Sequence, residues 1–375
     1  MMLTANLLCV MFRVSTLLAP LTICACCLVW EATARPAIPA AQSGGDPWET
    51  HMKEGNRLQY LGQYQRAETE YRAAMAELAA YGERDARLGD VMCNLATLRT
   101  AQGQYVEAKE LSRRALMIIR GEFGERDARY AVALGNFAAV SCALGRYEEA
   151  ERMVRQALKI AEPTIGTQNK HYINLLNILG EILFQTGRKA QSISVTRQVV
   201  TALEKAVEPA DLMLAQAYQN LATLYVEDKQ YGPGREYLQK ATDLWQRSLP
   251  TDHPILVFAW NTQLIIYLRQ KQYAEANEFI PGMIAAATAR LGAKHPAVAL
   301  LLNNAAAVYQ AQGRLEDAVA LLRQAVEINE QALGPAHPTL AYTLKNCAEV
   351  LRKLDRSGEA RILDARARVM LKALR

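Results

Sequence analysis

The sequence predicts an all-α protein built as a tandem array of helical hairpins, and three observations carry that expectation. The hexapeptide GERDAR stands at Gly82 to Arg87 and again at Gly124 to Arg129, and the residues following each copy agree in kind. Laid out with a period of 42, units starting at Tyr81, Phe123, Ile165, Val207, Leu249, Leu291 and Leu333 align without a gap. Two columns of that alignment are small. The sixteenth position holds Ala96, Ala138, Gly180, Ala222, Leu264, Ala306 and Ala348; the twenty-eighth holds Ala108, Ala150, Ser192, Gly234, Ala276, Ala318 and Ala360. A small residue fixed in each of two apolar stretches is what close helix-helix contact requires, so each unit reads as one hairpin.

Taken in order, the chain begins with a different kind of segment. Arg13, the apolar stretch Leu17 to Trp30 and the triplet Ala32-Thr33-Ala34 have the layout of a secretory signal, with cleavage expected after Ala34. Retention of that segment as an uncleaved anchor, or lipid attachment at Cys26, are the alternatives that would tie the chain to a membrane. Residues 35–45 are rich in Pro, Ala and Gly without periodicity and read as a linker. The array occupies 46–375. Its first hairpin carries Gly55, Tyr60, Gly62, Tyr64, Ala67 and Ala74, which fit the pattern once a one-residue shift near Ala80 is allowed, so about eight hairpins are expected.

Within each unit the punctuation follows helix physics. The fifth position holds Asp85, Asp127, Asn169, Asp211, His253, His295 and His337, the last three followed by Pro254, Pro296 and Pro338. Asp and Asn are preferred N-caps and Pro suits the first helical turn. Between the two helices lie QGQ, LGR, TGR, DKQ, QKQ and QGR, where Gly or a polar residue ends the first helix. GERDAR is therefore a corner between repeats. Pro281 in the second helix of the fifth 42-residue unit predicts a kink or interruption there.

Composition narrows the function. Half the residues are apolar, and 43 basic against 38 acidic side chains give a net charge of +5, mixed along the chain. A nucleic-acid binder would concentrate its basic residues, so nucleic acid is not an expected partner. Four of the seven cysteines lie in the targeting segment, and the remaining Cys93, Cys142 and Cys347 fall on apolar helix patterns, which fits core packing better than a disulfide frame. The three histidines sit one repeat apart, about 8–10 Å by helix packing, whereas zinc needs donors near 2 Å, so they read as helix starts with no metal. No zinc spacing, phosphate loop or G-x-S-x-G occurs, and no enzyme activity or cofactor is expected.

The small, aromatic and Gly spacing resembles the tetratricopeptide repeat, and LGAKHPAVALLLNNAAAVYQAQGRLEDAVALLRQAVEI at a 42-residue period resembles its kinesin-light-chain type. The resemblance covers nearly the whole chain after the linker. It implies a right-handed α-solenoid whose first helices line a concave groove that receives peptides. It does not imply motor binding, since a secretion signal is present and no coiled coil precedes the repeats. The chain departs from the family pattern at Ile178, Lys189, Thr262 and Leu264.

The fourteenth position stands out within that frame: Asn94, Asn136, Ile178, Asn220, Thr262, Asn304 and Asn346. Asn is a mediocre helix former, so its recurrence asks for a reason. An amide both donates and accepts, which suits a bound peptide backbone and equally suits hydrogen bonds between neighbouring repeats. The thirteenth position extends the row with Asn177, Gln219, Asn261, Asn303 and Lys345. The expected groove residues are Asn94, Asn136, Asn220, Asn303, Asn304, Lys345 and Asn346, with Arg352 and Lys353 as late basic candidates. Asp90, Cys93, Thr97 and Thr100 occupy the early groove face, so a free C-terminal carboxylate is not the expected ligand. Trp245, Trp260 and Phe258 read as core. The function expected is an exported, periplasmic or secreted scaffold binding a peptide or protein partner; the alternative is a structural subunit of a larger envelope assembly.

Overall fold

The computed structural model describes residues 46–373 apart from 61–62, 83–84, 207–210, 250–254 and 334–336. The expected signal, the linker and the His253-Pro254 cap lie outside the described residues. Sixteen α-helices occur among those described, pairing as hairpins: α1 (Pro47–Tyr60) with α2 (Tyr64–Ala79), α3 (Ala86–Ala101) with α4 (Tyr105–Phe123), α5 (Ala128–Ala143) with α6 (Tyr147–Ile165), and α7 (Lys170–Gln185) with α8 (Lys189–Glu204). There follow α9 (Asp211–Glu227) with α10 (Tyr231–Ser248), α11 (Leu256–Arg269) with α12 (Tyr273–Leu291), α13 (Pro296–Ala311) with α14 (Leu315–Leu333), and α15 (Pro338–Lys353) with α16 (Ser357–Ala373). From α4 onward every second helix begins 42 residues after the last, at Tyr105, Tyr147, Lys189, Tyr231, Tyr273, Leu315 and Ser357. The fold is an all-α solenoid of tandem hairpins.

Helix boundaries fall where the capping residues put them. Asp85, Asp127 and Asn169 take extended backbone and accept the N–H of the residue two ahead, satisfying one orphan donor of each first helix. His295 and His337 do the same through Nδ1, each at 3.1 Å, with Pro296 and Pro338 in the first turn behind them. Gly124, the first residue of the second GERDAR, leaves α4 at φ +79°. In the hairpins whose turns are described the turn column is left-handed: Gly103, Gly145, Gly187 and Gly313 at φ 74 to 79°, and Lys229, Lys271 and Asp355 at 58 to 63°. Side-chain-bearing residues occupy that region at a cost of roughly 1–2 kcal/mol each.

The two small columns pack as expected, being buried in every repeat described. Ser192 donates to the Gly180 carbonyl at 2.7 Å, and a Cβ at Gly234 would come within 2.8 Å of Val226. Of the kink or interruption expected at Pro281, the interruption does not occur. The helix α12 runs from Tyr273 to Leu291 without interruption at Pro281. Proline forfeits a single backbone bond there, and the burial of Ala276, Ile280, Met283 and Ala287 along one face holds the turns on either side.

The described residues form two compact units, dividing within α9: an N-terminal one through Ala217 and a C-terminal one from Tyr218. In the N-terminal unit the second helix of one hairpin reaches the turn of the next. Buried Arg99 takes Glu68 of α2 at 2.8 Å, and Arg188 takes Glu151 of α6 at 3.1 Å. In the C-terminal unit Asn277 and Gln312 exchange hydrogen bonds of 2.9 and 3.0 Å, and Arg235 reaches Gln270 and Gln272. Trp245 is fully buried, as expected for core, whereas Trp260 is half-buried beneath the Arg290 guanidinium, 4.6 Å from the ring centre. Cys93, Cys142 and Cys347 are free and buried, and burial pushes all three thiols up, Cys93 to about 12.

Candidate functional site

The first helix of each hairpin packs on most of its circumference and leaves one stripe, at the tenth, fourteenth, seventeenth and twenty-first positions of the repeat. This i, i+4, i+7, i+11 spacing is a single helix face. In the N-terminal unit that stripe is open. Asp90 is exposed, and Asn94, Thr97 and Ala101 of α3, Val132, Asn136, Ala139 and Ala143 of α5, and Asn174, Glu181 and Gln185 of α7 are half-buried. Among these eleven residues there is no Lys or Arg, while the same stripe of α1 carries Glu49 and the exposed Lys53.

In the C-terminal unit the corresponding amides are spent on one another. Asn346 donates to Asn303 at 2.9 Å, Asn303 to Asn304 at 3.3 Å, and Asn304 to Asn261 at 2.5 Å. These links join α15, α13 and α11 in one ladder, in which Asn303, Asn304 and Asn261 are buried. Gln219 continues the same geometry from α9 to Thr262 of α11. The rule is simple: the thirteenth side chain of one repeat meets the fourteenth of the next.

That rule also explains a departure noted in the sequence. Gly135, at the thirteenth position, has no side chain to offer, and the fourteenth residue opposite is the apolar Ile178. A Cβ on Gly135 would stand 2.2 Å from Leu175 and 3.8 Å from Ile178, so the contact is apolar and tight. One repeat earlier the rung is a thiol: Asn136 faces Cys93 and opposes the rise that burial imposes on it. Earlier still, Asn94 reaches the Met52 sulfur at 3.9 Å and the Asn56 carbonyl at 3.3 Å. Of the expected groove residues, then, Asn303, Asn304 and Asn346 come together in the ladder. Asn94 and Asn136 keep a solvent-facing edge, and Asn220 and Lys345 are half-buried on α9 and α15.

The carboxylates on the stripe differ in the same way. In the C-terminal unit Glu227 pairs with Arg269 and Glu349 with Lys353, each at 3.5 Å. In the N-terminal unit Asp90 has no ion pair among the described residues. Glu181 has none either, and takes only the Gln185 amide at 2.6 Å. Asp90 keeps a path to solvent while protein crowds the carboxyl, and that crowding raises it to about 6 against the pull of Arg129, with Asp85 adding to the rise. Burial likewise raises Glu181 to about 6, opposed by the Gln185 hydrogen bond. Asp90 is legible in the sequence as a residue of this face, and counting i, i+4, i+7 from it in each repeat also reaches Glu181.

A stack of hairpins with an accessible polar face and spent internal amides defines a helical protein-interaction scaffold. The tetratricopeptide repeat profile matches residues 129–205, 208–280 and 284–373, more than half of the chain, and the chain belongs to that family. No curated protein matches it in sequence. Among solved structures it is similar to a Rap protein complexed with Competence and Sporulation Factor, at TM-score 0.57 and 15% identity over 87% of this chain and 98% of that one. Aspartyl phosphate phosphatase F of Bacillus subtilis gives 0.57 and 15% over 77% and 71%. The kinesin light chain nearly identical TPR-like repeats of Podosopora anserina give 0.46 and 20% over 54% and 95%. At these identities the likeness is one of fold.

Proposed function

We propose that the protein is an exported scaffold that holds a peptide or protein partner along the first helices of its hairpins. The observation that carries this reading is the open polar stripe of α3, α5 and α7, where Asn94 and Asn136 present amide groups that no other repeat consumes entirely. Side-chain amides can meet the N–H and C=O of an extended chain whatever its side chains are. A Rap protein of this fold is complexed with Competence and Sporulation Factor, which is consistent with such use. Export rests on the N-terminal sequence alone. Mass spectrometry of the mature protein is expected to find Arg35 at its start; a chain retaining Trp30 would remove that part of the reading.

The binding part is tested on two double variants. Partners cross-linked in the native compartment are purified and titrated against Asn94→Ala/Asn136→Ala and against Asn304→Ala/Asn346→Ala. The first pair is expected to lose roughly ten- to hundredfold in affinity with a nearly unchanged melting curve. The second is expected to lower the melting temperature instead. Unchanged binding by the first pair would favour the other use of such an array, a structural subunit that packs by its ends or edges.

A further inference from the structure

We infer that the partner segment held by the N-terminal unit is cationic, with Asp90 and Glu181 as the side chains that receive its Lys or Arg residues. The inference rests on the groove reading above and adds a charge to it. Three observations carry it. Both carboxylates lie on the open stripe, flanked by Asn94, Asn174 and Gln185. Neither has an ion pair among the described residues, and no cation stands on the stripe of α3, α5 or α7 to supply one. The C-terminal unit provides the internal control, since its stripe carboxylates Glu227 and Glu349 each have their cation in place.

A carboxylate crowded by protein and left without an ion pair is held in an unfavourable state, which for Asp90 the more distant Arg129 relieves only in part. Folding alone gains nothing from that arrangement, and a ligand ammonium or guanidinium arriving at the wall relieves it. The wall also sets a spacing. Asp90 stands on α3 and Glu181 on α7, two first helices apart, which at about 8–10 Å per packed pair is roughly 16–20 Å across the stack. The seven-position difference in the repeat adds about 10 Å along the helix axes. An extended chain at about 3.3 Å per residue covers the diagonal in about six residues. The preferred segment therefore carries two cationic side chains about six residues apart.

The test uses the full chain after the linker's start and fluorescein-labelled dodecapeptides of Ser, Ala and Thr. One peptide carries two lysines six residues apart, one two lysines two apart, one two acetyl-lysines six apart, and one two glutamates six apart. Anisotropy titrations are expected to show the six-spaced lysine peptide binding roughly tenfold or more tighter than its acetylated twin. The preference is expected to shrink in 0.5 M salt, about 3–5 Å of Debye length, and to vanish in Asp90→Asn/Glu181→Gln. That variant removes two carboxylates that have no ion pair among the described residues, so circular dichroism is expected to find it folded; Glu349→Gln is the matched control that keeps the preference. Equal binding of lysine and acetyl-lysine peptides, sensitive to Asn94→Ala/Asn136→Ala, overturns the charge while leaving the groove standing. Tighter binding of the glutamate peptide overturns it as well. Absence of binding by all four peptides overturns the charge and the groove together.

Discussion

The two units use one sequence column for different ends. In the C-terminal unit, Asn261, Asn303, Asn304 and Asn346 consume one another across three hairpins and lie largely out of water. In the N-terminal unit the partners at the thirteenth position are Met52, Cys93 and Gly135, a thioether, a thiol and nothing at all. The weak partners at that position leave Asn136 with capacity to spare, and Asn94, whose Nδ2 also donates to Asn56 at 3.3 Å, keeps a solvent-facing edge. An Asn at the fourteenth position is thus structural when the residue facing it is an amide, and available when it is not.

The sharpest break of that contrast is Asn304→Ala. It removes the donor to Asn261 and the acceptor of Asn303, leaving buried polar atoms without partners at about 1–3 kcal/mol each, so a total near 3 kcal/mol is expected. Asn136→Ala is expected to cost below about 1 kcal/mol, because its partner is a weakly bonding thiol. Urea denaturation of the two variants compares them directly, and equal losses would dissolve the distinction between units.

Next in size is Gly135→Ala. Its Cβ would stand 2.2 Å from the Leu175 Cδ2, a contact relieved by turning that buried side chain off its place or by moving α5 against α7. A loss of about 2 kcal/mol is expected, within the usual range for overpacking. A stable Gly135→Ala would mean that this rung is looser than the geometry says.

The unpaired carboxylates give a smaller effect with a definite sign. Both are raised to about 6 from ordinary values of 3.8 and 4.5, so between about pH 4 and pH 6 the folded chain binds more protons than the unfolded one. Their contribution is least unfavourable below pH 4, and stability falls as pH rises through 6. Because water reaches both groups, the pair is expected to contribute only about 1 kcal/mol. Asp90→Asn/Glu181→Gln should therefore stabilise at pH 8 and change little at pH 4. For Asp90 the charges in play are Arg129 and Asp85; for Glu181 the neighbouring polar group is Gln185.

The smallest expected change is a gain. Lys229 and Lys271 hold the left-handed turn position that Gly holds at 103, 145, 187 and 313. Replacing either by Gly should stabilise its hairpin by about 0.5–1 kcal/mol, the left-handed strain removed less the added chain entropy of Gly. Thermal melts of Lys229→Gly and Lys271→Gly measure it, and a loss in both would assign their side chains a contact worth more than the strain.

Much of this architecture was legible because it depends on residues close in sequence. Caps at Asp85, Asp127 and Asn169, turns at Gly103 and Gly145, and the small columns follow from local backbone and packing rules, and repetition multiplies each signal. The site was legible only in part. The Asn column announced itself, yet its division into spent and available amides turns on what faces each Asn 42 or 43 positions back, a contact that no local rule gives. Ile178 looked like a departure for the same reason; opposite Gly135 it is the residue that fits. At Pro281 the lost backbone bond is local, whereas the burial that keeps the helix uninterrupted comes from neighbouring helices.

The buried thiols have a use of their own. A thiol reacts as its thiolate, and Cys93, Cys142 and Cys347 are held protonated and covered, so modification must wait for the surrounding helices to part. Their labelling rates then report the opening frequencies of the second, third and last hairpins separately. Peptide mapping after timed exposure to a maleimide would read three clocks in one unmodified chain, two in the N-terminal unit and one near the far end.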